Sequence, residues 1–322
     1  MELLTKVALP TIAEKDKISY KTPIVSIGSC FANHLQEKLA YYKFSTLENP
    51  LGVLFHPLSI EKSLERICQH SLFREEDFFL QDDLWVSFAL HSQWASPSLP
   101  ELINRLNSSL TRLGKFLEQA SFLVITLGTA WVYEYLATGE IVANCHKQPQ
   151  TLFKKQLLSL SEIVASLKRI TESVQRKQPN IRIIFTVSPV RHLRDGAQEN
   201  LLSKSLIICA IHELLGTVEE DKPKNLFYFP SYEILMDELR DYRFYKEDML
   251  HPNEQAIQYI WERFAQTFFT SDTLKLMQEV ESIQRALAHR PFNPNSAKHK
   301  IFQENLAKKI TFLQEKHPFI QF

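Results

Sequence analysis

Short runs of β-branched and aromatic residues alternate along this chain with longer segments of helical period. The run from Ser121 to Leu127 is almost continuously apolar, which is typical of a strand buried on both faces. Further strands are predicted at residues 23–27, 181–187 and 226–229. Amphipathic helices are predicted at residues 31–42, 102–117, 157–174, 199–215 and 253–269, and Pro252 suits the first turn of the last one. Because crossover helices cover both faces of a parallel sheet, the alternation predicts a three-layer α/β/α fold with a mainly parallel central sheet.

Two segments lie outside this alternation. Residues 71–97 have the pattern of an inserted hairpin with acidic turns, and residues 271–322 form a helical extension interrupted by prolines at 291 and 294. The sequence therefore predicts a domain over residues 1–270 with an insertion, followed by a C-terminal helical arm. Whether the arm is packed or flexible stays open, and it is a candidate for homo-oligomer formation or for covering a pocket.

The composition excludes several classes of partner and cofactor. The 37 basic and 37 acidic side chains cancel, which gives no indication of a nucleic acid or an anionic membrane as partner. Seven glycines, no two within about ten residues of each other, leave no glycine-rich phosphate loop. Nothing therefore indicates a nucleotide or another cofactor.

The cysteines and the hydropathy pattern indicate a reduced compartment. The four cysteines are widely spaced and form no zinc or disulfide motif, at positions Cys30, Cys68, Cys145 and Cys209. No apolar run approaches the length needed to span a bilayer, and the first twenty residues contain no uninterrupted apolar segment. A cytoplasmic location is the expectation.

The junction Gly28-Ser29-Cys30 connects the first predicted strand to the first predicted helix. In open α/β sheets, ligands bind beyond the carboxyl ends of strands, where this junction falls. A serine at such a turn can project its hydroxyl over the sheet edge, beside amides that receive an oxyanion. Alternatively, Ser29 only caps the helix. Cys30 is a further candidate nucleophile, since a thiol at a helix N-terminus can have a lowered pKa.

A second candidate pair lies far downstream, in the run Asp248-Met-Leu-His251. In a tight turn, an aspartate three residues before a histidine can accept from the imidazole Nδ1–H, which leaves Nε2 free as a general base. The order Ser, Asp, His along the chain is compatible with nucleophilic catalysis on a parallel sheet.

Several separated motifs resemble the GSCFA domain family, whose namesake motif stands at residues 28–32. The resemblance continues through LGTAWVY (127–133), NCHK (144–147), SPVRH (188–192) and RFYKEDMLHPN (243–253), and covers about residues 20–270. That family looks like a branch of the SGNH/GDSL hydrolase superfamily, which implies a three-layer fold and a Ser-His-Asp triad. The resemblance implies Ser29 as nucleophile, Asp248 as orienting acid and His251 as base.

The resemblance also implies oxyanion donors, with one departure from the superfamily pattern. The backbone amides of Ser29 and Gly52 occupy donor positions. In the third block, however, Ala130 stands where the superfamily has an asparagine, and alanine cannot donate. Thr129, Asn144 or His146 are the candidate replacements.

Three further side chains are weighed as binding groups. His146 beside Cys145 lacks the three or four ligands that zinc requires, so no metal site is predicted. Arg191 and His192 follow a predicted strand end, where they are candidates for binding an anionic substrate group or for anchoring a loop.

The sequence as a whole predicts a serine esterase or acyltransferase. The expected substrate is a small O-acyl ester, with an acylated carbohydrate as one class, and the expected intermediate is acyl-Ser29. The missing asparagine leaves a different class of function open, namely a ligand-binding module that kept the pocket and lost the chemistry. Catalysis through Cys30 is a third hypothesis.

Overall fold

The computed structural model of the chain describes residues 6–47, 49, 51–216 and 225–322. Its strands are β1 (Ile24–Gly28), β2 (Thr46–Leu47), β3 (Phe79–Gln81), β4 (Leu84–Val86), β5 (Phe122–Leu127), β6 (Trp131–Tyr135), β7 (Glu140–Val142), β8 (Phe153–Leu157), β9 (Arg182–Val187) and β10 (Leu226–Phe229). Its α-helices are α1 (Cys30–Tyr41), α2 (Pro57–Cys68), α3 (Leu99–Gln119), α4 (Leu160–Lys177), α5 (Ala197–Gly216), α6 (Ser231–Glu233), α7 (Glu254–Phe268), α8 (Ser271–Ala288) and α9 (Ala297–Lys316).

Five parallel strands form the central sheet in the order β10-β9-β5-β1-β2. The register aligns Gly28 with Thr126, Thr126 with Thr186, and Thr186 with Phe229. Four strands therefore end at one level, and their carboxyl ends form a single edge of the sheet. The predicted parallel sheet is confirmed.

Helices cover the two faces of this sheet, because neighbouring strand residues point in opposite directions. In β5, Leu123 and Ile125 pack into the cluster that includes α3, α4 and α5. Phe122 and Val124 pack into the cluster that includes α1, α7 and α8. The three-layer α/β/α prediction is therefore confirmed.

The start of α7 differs from the prediction by one position. Asn253 is the N-cap, with its side chain accepting from the Ala256 amide at 3.0 Å, and α7 begins at Glu254. Pro252 lies before the helix and pairs with Tyr245 in an isolated β-bridge. The asparagine ends the loop because it satisfies a first-turn amide that proline could not reach.

Outside the central sheet, the insertion contains the antiparallel hairpin β3–β4, and β7-β6-β8 form a small antiparallel sheet. Sequence reasoning missed α2. Its signals are Pro57 at the first helical position and buried residues at helical spacing, Ile60, Leu64 and Ile67.

The C-terminal arm is packed in part against the domain. Val280 and Ile283 of α8 are fully buried in the cluster that contains Phe268 of α7. From α9, Leu313 joins the same cluster, while most of that helix is exposed. Within the described ranges, no helix has both the length and the apolar character needed to cross a membrane.

Candidate active site

The GSC junction lies at the carboxyl edge of the sheet, at the end of β1. Gly28 has φ of 134°, and a β-carbon there would lie 2.1 Å from the Thr126 carbonyl oxygen, so only glycine fits. The next amide, that of Ser29, donates to the same oxygen at 2.9 Å. Ser29 thus continues the pairing of β1 with β5, and the helix begins only at Cys30.

Ser29 is enclosed at this junction. Its exposed fraction is 0%, and its Oγ has no hydrogen-bond partner among the described residues. Ser29 occupies the N-cap position of α1, and its side chain makes no capping hydrogen bond to the first turn. In this conformation the hydroxyl is not exposed to an ester substrate, and the nucleophilic role of Ser29 stays a prediction.

Cys30, the next residue of the junction, is a partly exposed free thiol. Burial raises the pKa of its thiol, and this effect is opposed by the Lys204 ammonium, by the amides of Phe31 and Cys30, and by Lys246. The amides of the helix N-terminus lower the Cys30 pKa as expected, but the pKa is raised overall, because burial outweighs the amides and both ammonium groups.

The Asp248–His251 pair forms as the spacing predicts. His251 Nδ1 donates to Asp248 Oδ2 at 2.6 Å, and the amides of Leu250 and His251 donate to Asp248 Oδ1 at 2.9 and 3.0 Å. These bonds, with the two amides contributing most, lower the pKa of Asp248 to about 2. With Nδ1 engaged, His251 keeps Nε2 free to accept a proton.

The same end of the molecule carries Cys30 and His251. Phe269, which follows α7, pairs with Ile18 ahead of β1, so α7 ends at the amino edge of the sheet and begins at the carboxyl edge. Phe31 and Ile257, from the first turns of α1 and α7, line one small cavity. Lys246, in the loop that carries Asp248 and His251, also interacts electrostatically with Cys30, because its charge lowers the pKa of the thiol.

The two backbone donors expected for an oxyanion are both engaged. Besides the bond from Ser29 to Thr126, the Gly52 amide donates to the Asn49 carbonyl at 3.2 Å. Both amides have acceptors within the chain in this structure, and their oxyanion roles stay predictions. The Cys30 amide, at the first position of α1, has no intrahelical acceptor.

The side-chain candidates for the third donor are engaged elsewhere. The Thr129 hydroxyl lies 3.1 Å from Ser203 Oγ and accepts from the Trp131 amide at 3.1 Å. Asn144 Oδ1 accepts from the His146 amide at 2.9 Å, and His146 Nε2 donates to the Ser87 carbonyl at 2.7 Å. The contacts of Asn144 and His146 among the described residues thus tie them to the insertion and not to the GSC junction.

His192 is the histidine that faces the third block. A β-carbon on Gly128 would lie 3.3 Å from His192 Nε2, and this nitrogen is buried with no hydrogen-bond partner among the described residues. Burial lowers the pKa of His192 to about 4, with Lys204 and His251 acting in the same direction and Asp195 opposing. The imidazole is therefore neutral near pH 7, and no cationic His192 is present to bind an anionic substrate.

The Arg191 side chain contacts Met236. Its Nη2 is 3.0 Å from Met236 Sδ, and its charge acts on Tyr232 and Tyr245. These contacts match the loop-anchoring interpretation of Arg191. Over the described parts of the chain, no group of three or more histidine, cysteine, aspartate or glutamate residues is arranged to hold a metal ion.

Sequence reasoning missed Lys204, which reaches the site from α5. Its exposed fraction is 1%, and its Nζ donates to the Ser188 carbonyl at 2.7 Å. A signal was present, since Lys204 falls at helical spacing with the buried Asn200, Ile207 and Ile211. A lysine on the buried face of a helix is uncommon in soluble proteins.

Comparison with known families and structures gives matches over most of the chain. The model of the GSCFA family matches residues 23–264, and that of the GSCFA domain protein C-terminal domain matches residues 280–322. No match was found among curated proteins.

The solved structures that this chain matches include two esterases. A family 3 carbohydrate esterase of Clostridium thermocellum is 12% identical with a TM-score of 0.33, over 84% of this chain and 100% of that one. The acetyl xylan esterase Est2A of the rumen bacterium Butyrivibrio proteoclasticus is 11% identical with a TM-score of 0.41, over 80% of this chain and 66% of that one. At these values the comparisons assign no activity to this chain.

Proposed function

This chain belongs to the GSCFA family, and we propose that it is an acyl-transfer hydrolase that acts on small O-acyl esters through Cys30. The observation that carries the proposal is that a partly exposed thiol, at the start of α1, and an oriented histidine lie at the same edge of the sheet. An acylated carbohydrate is the substrate class to test first, on the strength of the family resemblance.

The proposed reaction follows the logic of a nucleophile, a base and an orienting acid. His251 Nε2 takes the Cys30 thiol proton, and the sulfur attacks the ester carbonyl carbon. The tetrahedral intermediate expels the alcohol, which receives the proton back from His251. Water or an acceptor hydroxyl then attacks the thioester, with His251 again as base, and releases the acid or the new ester. Asp248 holds the imidazole orientation throughout and stabilises its charged form.

Two groups are proposed as oxyanion donors. One is the Cys30 amide, in the first turn of α1, where amides lack intrahelical acceptors. The other is the neutral His192, whose unpartnered Nε2 lies beside Gly128, where the superfamily asparagine is absent. Loss of one such donor costs about 10²–10³ in rate, which gives His192→Ala a measurable expected effect.

The test compares substitutions at the neighbouring residues Ser29 and Cys30 with one at His251. We expect Cys30→Ala and His251→Gln to lower kcat for 4-nitrophenyl acetate by about 10³ or more, and Ser29→Ala to retain activity. Circular dichroism melts confirm that each variant is folded, and mass spectrometry locates the acyl group on the Cys30 peptide. A folded Ser29→Ala variant without activity, or a fully active Cys30→Ala variant, would overturn the assignment of the nucleophile.

A non-catalytic binding module is the second candidate, and the enclosed Ser29 hydroxyl is the observation that favours it. It predicts that nitrophenyl esters and acetylated xylo-oligosaccharides are not hydrolysed, while an acetylated oligosaccharide still raises the melting temperature. Turnover of either substrate that depends on Cys30 rejects this alternative.

A further inference from the structure

A cleft of about 710 Å³ lies between α2, the insertion and the small antiparallel sheet. Its lining includes Ser63 and Arg66 of α2, Phe79 and Phe88 of the insertion, and Tyr135 of β6. Sites that hold small molecules typically enclose about 300–1,000 Å³, so the cleft has room for a ligand. None of the residues assigned to the proposed acyl transfer lines it. The cleft is therefore separate from the proposed catalytic centre.

The three walls of this cleft are joined to one another by hydrogen bonds. The bonds join Arg66 Nη2 to Asp77 Oδ1 at 3.0 Å, the Ala143 amide to the Phe88 carbonyl at 2.7 Å, and His56 Nε2 to the Val142 carbonyl at 3.1 Å. They connect α2 to the insertion, the insertion to the residue after β7, and the N-cap of α2 to β7, in that order. Because the walls are held in place before a ligand arrives, binding requires little ordering of the protein.

Three partly exposed aromatic rings form one surface inside the cleft. The centroid of the Phe88 ring lies 4.4 Å from that of Phe79 and 4.8 Å from that of Tyr135. All three residues line the cleft, and none of them is fully buried. Aromatic side chains supply a large apolar contact area, and a contiguous group that the fold leaves partly uncovered is typical of a binding surface. The rings therefore offer a stacking surface to a ligand with flat apolar faces.

The charged side chains of the lining disfavour an anionic ligand. They are four carboxylates and two cations, namely Glu65, Glu76, Asp77, Glu140, Lys62 and Arg66. Both cations are engaged within the chain, since Lys62 Nζ donates to the Ile141 carbonyl at 3.3 Å and the Arg66 guanidinium pairs with Asp77. A phosphate or carboxylate ligand would therefore face more negative than positive charge. Because carboxylates accept hydrogen bonds from hydroxyl groups, and Arg66 already neutralises Asp77, the cleft suits an uncharged ligand with many hydroxyl donors.

We propose that the cleft binds a neutral oligosaccharide. The flat C–H faces of its sugar rings stack on Phe79, Phe88 and Tyr135, and its hydroxyl groups bond to polar side chains of the lining, among them the exposed Thr138 and Glu140. The aromatic surface supplies contact area and the polar groups fix the orientation of the ligand. The proposal goes beyond the acyl transfer proposed above, because it assigns a ligand to the insertion and the small sheet and uses no residue of the catalytic centre.

Isothermal titration calorimetry tests this site with three unacylated tetrasaccharides, cellotetraose, xylotetraose and maltotetraose. We expect at least one of them to bind with a Kd of about 1 mM or less. Phe79→Ala and Tyr135→Ala each remove one ring of the stacking surface and are expected to weaken this binding about tenfold. Phe292→Ala removes an exposed ring outside the cleft and is expected to retain the wild-type Kd.

Circular dichroism melts confirm that each variant is folded. If an alanine variant does not fold, Phe79→Leu and Tyr135→Leu keep the apolar bulk and remove the ring face. The proposal is overturned if no tetrasaccharide binds the folded wild type, or if the folded ring variants bind with the wild-type Kd. Saturable binding of spermine or inorganic phosphate without any tetrasaccharide binding would also overturn it and assign the cleft to a charged ligand. The tetrasaccharides carry no ester, so failure of the proposed function is detected separately, by nitrophenyl ester turnover that does not depend on Cys30.

Discussion

At the residue scale, one left-handed backbone position shapes the loop that carries the proposed general base, His251. Met249 has φ of 58°, which turns the chain so that the Asp248 carboxylate meets two amides and the His251 ring. A left-handed conformation costs a non-glycine residue about 1–2 kcal/mol, and the charge-assisted bonds to Asp248 offset it. Because both side chains are substantially exposed, the pair adds little to folding stability. We infer that its role is orientation of the imidazole.

Asp248→Asn tests this role. The carboxamide removes the charge and can present an N–H to Nδ1, which favours the wrong tautomer, so we expect kcat to fall about 10²–10⁴. The melting temperature is expected to stay near that of the wild type. Asp241→Asn is the matched control. Asp241 is an exposed residue of the same loop, and its side chain accepts a hydrogen bond from the Arg243 amide. Equal kcat values for the two variants would contradict the orienting role.

At the element scale, a neutral histidine joins α2 to the small antiparallel sheet. His56 Nδ1 accepts from the Ser59 amide at 3.1 Å and caps the helix, while Nε2 donates to the Val142 carbonyl at 3.1 Å. Burial lowers the pKa of this fully enclosed imidazole to about 4, an effect that the Val142 bond partly opposes. Protonation at Nδ1 would remove the acceptor, so the cap depends on the neutral form.

The requirement for neutral His56 predicts that the folded protein loses stability in acid. Between about pH 6.5 and 4 the unfolded chain binds a proton that folded His56 does not, so the free energy of unfolding falls as the pH falls through this window. His192 contributes in the same direction. Urea unfolding of His56→Asn should show a shallower decline, with a cost near pH 7 of about 1–3 kcal/mol for the unpaired Val142 carbonyl. His289→Asn, at an exposed position, should retain the wild-type slope, and an equal slope in His56→Asn would disprove the assignment.

At the scale of the whole molecule, the chain's two ends complete one hydrophobic layer. Ile18 and Tyr20, before β1, share a buried cluster with α1, α7 and α8 and with Leu313 of α9. The C-terminal extension is thus part of the packing that supports α7, the helix that begins next to His251. The homo-oligomer predicted through these helices stays a prediction, and α9 leaves apolar side chains exposed at Ile301, Phe302 and Phe312.

A pair of substitutions on α8 measures this contribution. Ile283→Ala removes a fully buried side chain and should lower the free energy of unfolding by about 2–5 kcal/mol. Leu287→Ala, one turn further on the same helix and 48% exposed, should change it by no more than about 0.5 kcal/mol. Denaturant unfolding of both variants gives the comparison. Similar values for the two would indicate that the extension contributes no packing to the domain.

The fold was predictable to the extent that its signals are local. Apolar runs and helical periods identify β1, β5, β9 and β10 and the helices between them, because side-chain direction repeats along each element. The short strands β2 and β7 are recognised by their pairing with β1 and β6 and not by a pattern in their own residues. Sequence reasoning therefore missed them.

The sequence by itself determined the parallel three-layer sheet, the strand-to-helix junction at Gly28 and the Asp248–His251 contact, which needs only a three-residue turn. Tertiary structure decided which junction residue is accessible, because Ser29 is fully buried in the folded chain whereas Cys30, the first residue of α1, is partly exposed. It also decided the roles available to His192 and Lys204. Burial and neighbouring charge set their protonation, and both arise from elements that meet only when the chain is folded.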